Sequence, residues 1–217
     1  MGRRSRLASP PMSETIIRTL RLALSSLLTV ALLAALAIGM SRNELAIVEF
    51  FSSFSVLSNA LAVIALGMLA VRPRLTSSPS FSVFRGGVTV YTSVTALLYA
   101  VPLIPKGIEA GYTEPWVDST LHVVGPIALA LDWLLNRPVV SIHQSAVGIW
   151  MIVPALYLAY TLIRGAIVDW YPHPFLDPEA MGGYGGLALW LGAGLVVIVG
   201  LGYLFYWWAN HEIDESA

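Results

Sequence analysis

The chain has 217 residues, of which 57% are hydrophobic and 12% are charged, and its formal net charge is −1. Soluble domains carry about 25% charged residues, so this composition is not that of an ordinary soluble domain and indicates a protein that has lipid as its solvent. The absence of cysteine excludes disulfides, thiolate metal sites and a cysteine nucleophile.

Six apolar stretches are long enough to cross a membrane as helices, because about 20 residues span the ~30 Å hydrocarbon layer. The basic segment GRRSRL precedes the first stretch, which is too long for a signal peptide, and we interpret it as a retained helix. The sequence predicts one all-α domain, a polytopic six-helix transmembrane bundle over residues 16–208, with a disordered tail at 1–15 and an acidic tail at 209–217. The predicted spans are 22–40, 50–71, 88–105, 119–135, 146–165 and 185–208.

Arginine and lysine set the expected orientation, because they are enriched in cytoplasmic segments. With the N-terminus inside, nine basic residues fall on the inner side and three on the outer side. The sequence therefore predicts a multi-pass protein of the cell membrane with both tails in the cytoplasm. The outer three are Arg42, Lys106 and Arg164; the inner nine are Arg3, Arg4, Arg6, Arg18, Arg21, Arg72, Arg74, Arg85 and Arg137.

Polar side chains recur at helical spacing on four of the six spans. Residues three, four and seven apart share a helix face, and polar faces are costly against lipid, so we expect these faces to turn toward one another. Serine and threonine in membrane helices also bond to their own backbone, which is the simpler interpretation of any one of them. The groups are Ser52, Ser55 and Asn59; Thr92, Thr95 and Tyr99; Asp118 and His122; and Tyr157, Thr161 and Arg164.

Four polar residues are predicted at one depth, near the outer headgroups: Ser52, His122, Arg164 and Asp169. Pro126 is expected to leave the His122 carbonyl without its helical partner, since proline has no N–H. Asp132 lies ten residues beyond His122, about 15 Å further in, and we expect it to pair with an arginine of the inner loops.

Motifs of familiar soluble enzymes are absent, including GxSxG, HExxH and the Walker lysine. Four scattered histidines do not indicate a metal site, and no cofactor is predicted. The basic residues serve topology and form no patch with interleaved aromatics, so we predict no nucleic-acid partner.

The segments FFSSFSVLSN, LHVVGPIALALDWLL and LAYTLIRGAIVDWYPHPFLD resemble those of a group of bacterial six-pass membrane proteins of unknown function, over residues 16–208. That group is distantly similar, mainly over 50–175, to the animal androgen-induced membrane proteins, which include the androgen-dependent TFPI-regulating protein. The distant resemblance implies an intramembrane hydrolase of fatty acid esters of hydroxy fatty acids, with a threonine nucleophile and a histidine. The threonine's place falls on Ser52, where serine keeps the hydroxyl, or on its neighbour Ser53, and the histidine's place falls on His122.

Two functions fit these observations. In the first, Ser52 and His122 form the catalytic pair of a lipid-ester hydrolase acting on a long-chain ester in the outer leaflet. Asp118 would orient His122, and Ser55 or Arg164 would donate to the oxyanion; Asn59 and Asp169 would support the site. In the second, the chain is a non-enzymatic small-solute carrier or lipid-binding scaffold. A route through to Asp132 would favour transport, whereas a site closed below Ser52 would favour the hydrolase.

Overall fold

The computed structural model describes residues 13–42, 46–100 and 114–214, with side chains as far as His211. It is all-α, with 84% of it helical and no strand in these ranges. The helices are α1 (Glu14–Ser41), α2 (Ile47–Phe51), α3 (Phe54–Val71), α4 (Pro79–Ala100), α5 (Pro115–Ser119), α6 (Gly125–Leu135), α7 (Ser145–Val168) and α8 (Tyr184–Asp214). A π turn (Thr120–Val124) joins α5 to α6, and two 3₁₀ turns cover Pro73–Ser77 and Pro174–Leu176.

Four of the described helices, α1, α3, α7 and α8, have the length and apolar composition of membrane spans. Their outward faces are apolar, and in α8 only 17% of the most apolar stretch is buried inside the protein. Leu33, Ile167 and Val196 are among the large side chains left exposed. Soluble monomers rarely expose apolar surface on this scale, so the helices are compatible with an integral membrane protein.

The remaining two predicted spans are helical but differ from the expectation in composition or continuity. Helix α4 is long enough, but it carries a buried polar row that includes Arg85, Thr89 and Thr92. It packs against α3, α6, α7 and α8, so this row faces protein on several sides. The predicted span 119–135 is divided between the end of α5, the π turn and α6. Residues 101–105 of the predicted third span lie outside the described residues.

The bundle has two ends that the contacts distinguish. At one, which we call the terminal end, α1 begins and α8 ends, and Arg18 donates to Ala70 O at 3.0 Å. At the other, the distal end, Arg42 and Glu114 form an exposed ion pair of 2.9 Å. The distal end also holds α2, α5 and the end of α7, and therefore most of the predicted site.

Asp132 joins three helices at the terminal end. Its Oδ1 lies 2.8 Å from Arg21 Nε of α1, and its Oδ2 lies 2.9 Å from Arg85 Nη2 of α4. Arg85 also donates to the Asp132 carbonyl and lies over the Trp133 ring, 5.0 Å from its centroid. Asp132 therefore pairs with arginine, as predicted, but both arginines belong to helices and not to the loops that the sequence suggested.

Helix α8 extends beyond the predicted sixth span, so residues 209–214 are helical where the sequence suggested a tail. Asn210 explains this extension, because its buried side chain pairs with both backbone groups of Ile142 at 2.9 and 3.1 Å. Trp208 donates to Leu134 O at 3.0 Å. Contacts with α6 and with the segment before α7 thus hold the end of α8. The predicted first tail lies outside the described residues except for 13–15, where Ser13 caps α1.

Gly86 and Gly87 let α4 pack closely against α6 and α7. A Cβ at Gly86 would lie 2.4 Å from Trp150 Cζ2 and 3.0 Å from Trp133 Cη2. A Cβ at Gly87 would lie 2.9 Å from Trp150 Cδ1. The indole N–H of Trp150 donates to Val83 O at 2.6 Å. The tight contact between α4 and α7 therefore requires a surface without side chains at these positions.

We predict that Gly86→Ala destabilises the protein, because interiors are packed too tightly to take an added methyl group without displacing an indole; the cost should be about 1–3 kcal/mol. Gly148→Ala is the matched control, since a Cβ there meets nothing within 4 Å, and alanine is the better helix former. The measurement is the temperature at which detergent-solubilised protein loses its monodisperse elution. Equal temperatures for the two variants would contradict the packing described.

We also predict that Asp132→Asn is strongly destabilising, because it leaves the guanidinium groups of Arg21 and Arg85 buried without a carboxylate; such a loss costs about 3–5 kcal/mol. The control is Glu114→Gln, which removes the exposed pair with Arg42 and should change stability by about 0–1 kcal/mol. The same elution assay ranks the two variants, and a small effect of Asp132→Asn would refute the structural role of the cluster.

Candidate functional site

Ser52 lies where the backbone breaks between α2 and α3. Ser53 has an extended conformation (φ −87°, ψ 132°) and is the N-cap of α3. The Ser52 hydroxyl donates to Val48 O at 2.7 Å and lies 2.8 Å from the Tyr160 hydroxyl. Because its one proton goes to Val48, Tyr160 is the donor in the second bond. Tyr157 donates to Ser52 O at 3.1 Å, so two tyrosines of α7 hold this break.

The break changes one prediction. Ser52, Ser55 and Asn59 were expected on one face of one continuous helix, but Ser52 precedes the break and the other two follow it. All three are nevertheless buried, with exposed fractions of 1%, 3% and 0%. The three polar side chains are therefore buried, as expected for polar groups in an apolar environment, although they do not lie on one continuous helix.

His122 and Asp118 form a hydrogen-bonded pair at the π turn. His122 Nδ1 lies 3.0 Å from Asp118 Oδ1 and also 3.0 Å from the Asp118 carbonyl O. Two oxygen acceptors around Nδ1 place the proton of a neutral imidazole there, which leaves Nε2 as the basic nitrogen. Tyr99 of α4 donates to Asp118 Oδ2 at 2.6 Å and stacks on the imidazole, with ring centroids 4.8 Å apart. The ring is therefore oriented by a carboxylate, which is in turn held by a phenol.

Several hydroxyls follow Ser52 along the chain and connect α3 to α4. Ser53 Oγ and Ser55 Oγ are 2.9 Å apart, and Ser58 donates to Ser55 O at 3.0 Å and contacts Thr95 Oγ1 of α4 at 3.4 Å. Thr95 donates to Tyr91 O of its own helix at 3.1 Å. These hydroxyls are buried, and they link the distal halves of α3 and α4.

Asn59 connects α3 to the π turn. The Gly125 N–H bonds to Thr120 O, five residues back, and the same spacing would pair position 126 with Leu121. Pro126 has no N–H, and Asn59 Nδ2 donates to Leu121 O at 3.0 Å. The sequence predicted that the His122 carbonyl would lack its helical partner. In the structure the carbonyl at the corresponding position is that of Leu121, because backbone hydrogen bonds in the π turn span five residues and not four.

Ser52 and His122 both belong to the distal end and are both buried. Within the described ranges, however, no hydrogen bond joins them, since the Ser52 hydroxyl pairs with Val48 and Tyr160. The structure therefore brings together His122 and Asp118 directly, whereas the pairing of Ser52 with His122 stays a prediction.

Arg164 and Asp169 lie further along α7, at and beyond its distal end. The Arg164 guanidinium lies over the Trp170 ring at 4.6 Å from its centroid. Asp169 is exposed and ends the helix with a left-handed backbone (φ 53°). No ion pair joins Arg164 to Asp169, or to any other acid of the part of the chain that the structure describes. In the described part of the chain neither residue is hydrogen-bonded to Ser52 or to His122.

Tyr160 was not among the residues singled out from the sequence, although its hydroxyl contacts Ser52. It lies three residues after Tyr157, so the two tyrosines flank the same helix face. A second phenol at that spacing was the available signal, but the aromatic belt of a membrane surface produces the same pattern.

Comparison with known proteins assigns no family: no family model, curated protein or solved structure matches the chain.

We predict that Asn59→Leu destabilises the protein by about 1–3 kcal/mol, because the substitution keeps the branching of the side chain but leaves the buried Leu121 carbonyl without a donor. Ser58→Ala serves as the control, since its hydroxyl donates mainly to a carbonyl of its own helix, and its loss should cost less. Thermal loss of monodisperse elution compares the two, and equal stability would mean that Leu121 O does not depend on Asn59.

Proposed function

We propose that the chain is a six-pass membrane protein with both termini in the cytoplasm. Helices α1, α7 and α8 would each cross once, as would α4 and the pairs α2–α3 and α5–α6. Residues 115–135 are 21 residues long and reach about 31 Å at the helical rise of 1.5 Å per residue, which is enough for one crossing. The bias of nine inner basic residues against three supports the orientation, and Arg18, Arg21 and Arg85 all have contacts at the terminal end.

We further propose that the distal end carries a hydrolase site for lipid esters. The observation that supports it is the Asp118–His122 pair, with its 3.0 Å contact at Nδ1. A carboxylate that holds Nδ1–H orients an imidazole and stabilises its cation when Nε2 accepts a proton. A carboxylate–imidazole pair at the same end of the bundle as several buried hydroxyls, in a protein with exposed apolar helices, fits an enzyme for substrates that reach it from the bilayer.

The chemistry assigns a role to each group. Nε2 of His122 takes the hydroxyl proton of Ser52 as Oγ attacks the ester carbonyl, and the carbonyl oxygen becomes an oxyanion. The proton then goes to the leaving alcohol, and water hydrolyses the acyl-enzyme by the same route. Ser52 must exchange its bond to Val48 O for one to His122, and catalytic hydrogen bonds are commonly long in an unliganded enzyme. Tyr160, already 2.8 Å from Ser52 Oγ, is placed to donate to the oxyanion, in addition to Ser55 or Arg164.

A lipid-binding scaffold is the second candidate, and one observation favours it. Ser52, Ser58, Thr92 and Thr95 each donate to a backbone carbonyl three or four residues earlier. That is the expected behaviour of hydroxyls that only stabilise a bundle. Transport has less support, because Asp132 is bound by two arginines and the polar side chains between it and the distal end are buried.

A serine-reactive fluorophosphonate probe distinguishes the two candidates. We expect the purified protein in detergent to be labelled, Ser52→Ala to lose the label, and His122→Gln to slow labelling about 10²-fold or more, as for loss of a general base. Asp118→Asn should slow it less. Ser26→Ala is the matched control, because Ser26 is exposed on α1, and it should label like the native chain.

Absence of labelling in the native protein would favour the scaffold. Labelling that survives Ser52→Ala but is lost in Ser53→Ala would move the nucleophile by one residue, and labelling that survives both would refute a nucleophile at this break.

A further inference from the structure

Two neighbouring donors on α7 are buried without acceptors. Arg164 Nη1 and Thr161 Oγ1 have no hydrogen-bond partner among residues 13–42, 46–100 and 114–214, and both atoms are inaccessible to solvent. Thr161 is 2% exposed. The residues are three apart, so they share one helix face. Buried donors are normally paired, because a donor that is buried without an acceptor has lost its hydrogen bond to water and gained none in the protein.

The charge of Arg164 is also uncompensated. In the described part of the chain no carboxylate lies within 4.0 Å of its guanidinium, and the guanidinium group is a cation. By comparison, the buried arginines Arg21 and Arg85 share Asp132, whereas Arg164 is half-buried. The guanidinium of Arg164 thus lacks a carboxylate partner in the described part of the chain, and an anionic ligand is one group that could supply the missing negative charge.

The surroundings hold the guanidinium in place. The Trp170 ring lies 4.6 Å from Arg164 Cζ, which fixes the guanidinium plane. Tyr171 is folded back onto α7, where a Cβ at Gly165 would lie 2.0 Å from Tyr171 Cε1. Tryptophan and tyrosine concentrate at the level of lipid headgroups. The two donors therefore lie at the depth at which lipid phosphates occur.

We propose that Arg164 and Thr161 form a binding site for the phosphate of an anionic phospholipid. The guanidinium presents paired N–H donors that match two phosphate oxygens, and the Thr161 hydroxyl donates to the ligand one turn deeper. Phosphate is acceptor-rich and negative, so it satisfies both unpaired donors and the uncompensated charge. The site does not depend on the proposed hydrolase and would serve equally in a scaffold.

The test measures lipid retained on detergent-solubilised protein by native mass spectrometry, with added dioleoylphosphatidylglycerol or dioleoylphosphatidylcholine. We expect the native chain to retain the anionic lipid at lower concentration than the zwitterionic one. Arg164→Gln should weaken binding of the anionic lipid about tenfold, which is the usual effect of losing a charged hydrogen bond. Arg74→Gln, which removes an exposed arginine at the terminal end, is the matched control and should bind as the native chain does.

Further variants and a competition with inorganic phosphate complete the test. If Arg164→Gln fails to fold, Arg164→Lys and Thr161→Val replace it, and each should weaken binding several-fold, because lysine cannot offer a paired fork and valine has no hydroxyl. Unchanged binding in these variants, or no preference for the anionic lipid, overturns the site. Complete displacement of the lipid by millimolar inorganic phosphate overturns a lipid ligand in favour of free phosphate. Ser52→Ala should leave lipid binding intact, which separates this test from the labelling experiment.

Discussion

The contact of Asp132 with Arg21 and Arg85 determines how the rest of the bundle is arranged. One carboxylate between two guanidinium groups ties α6 to α1 and to α4 at the terminal end. Charges are tolerated in apolar surroundings when they are paired, so the three helices have one favourable register along their axes. That register then sets the height at which the distal residues of the same helices meet. Tyr99 of α4 and Asp118 and His122, which precede α6, lie together at the distal end partly because their helices are fixed at the terminal end.

The distal end is organised by two interruptions of helix geometry. The break at Ser52–Ser53 frees the Ser52 carbonyl, which accepts from Tyr157. The π turn shifts the spacing before Pro126, and Asn59 supplies the donor for Leu121 O. In both cases a side chain from another helix replaces a backbone bond. Such interruptions are tolerated at membrane depth only where protein lines them, and π turns are frequent at functional sites.

Most polar groups at the distal end fall into two chemical classes. The imidazole of His122 is oriented at Nδ1 by Asp118 and stacked by Tyr99, an arrangement suited to proton transfer at Nε2. The serine and threonine hydroxyls largely donate to backbone carbonyls, as hydroxyls in membrane helices commonly do. Arg164 belongs to neither class, since its charge and one of its buried donors have no partner within the described ranges. The proposed catalysis rests on the histidine and the proposed lipid site rests on the arginine, and both residues belong to the distal end.

The sequence by itself determined the helical class, the presence of apolar helices of membrane length and the burial of most of the polar residues singled out within them. Apolar stretches of about 20 residues admit few other structures, and polarity facing lipid is costly. It also indicated that Asp132 pairs with arginine, since an unpaired charge at that depth is unfavourable. Only the tertiary structure decided which arginines those are, where the helices break, and that the Tyr160 hydroxyl is a hydrogen-bond partner of Ser52. These depend on how whole helices pack and rotate against one another, and a periodic pattern along one helix carries no information about the side chain that faces it from the next.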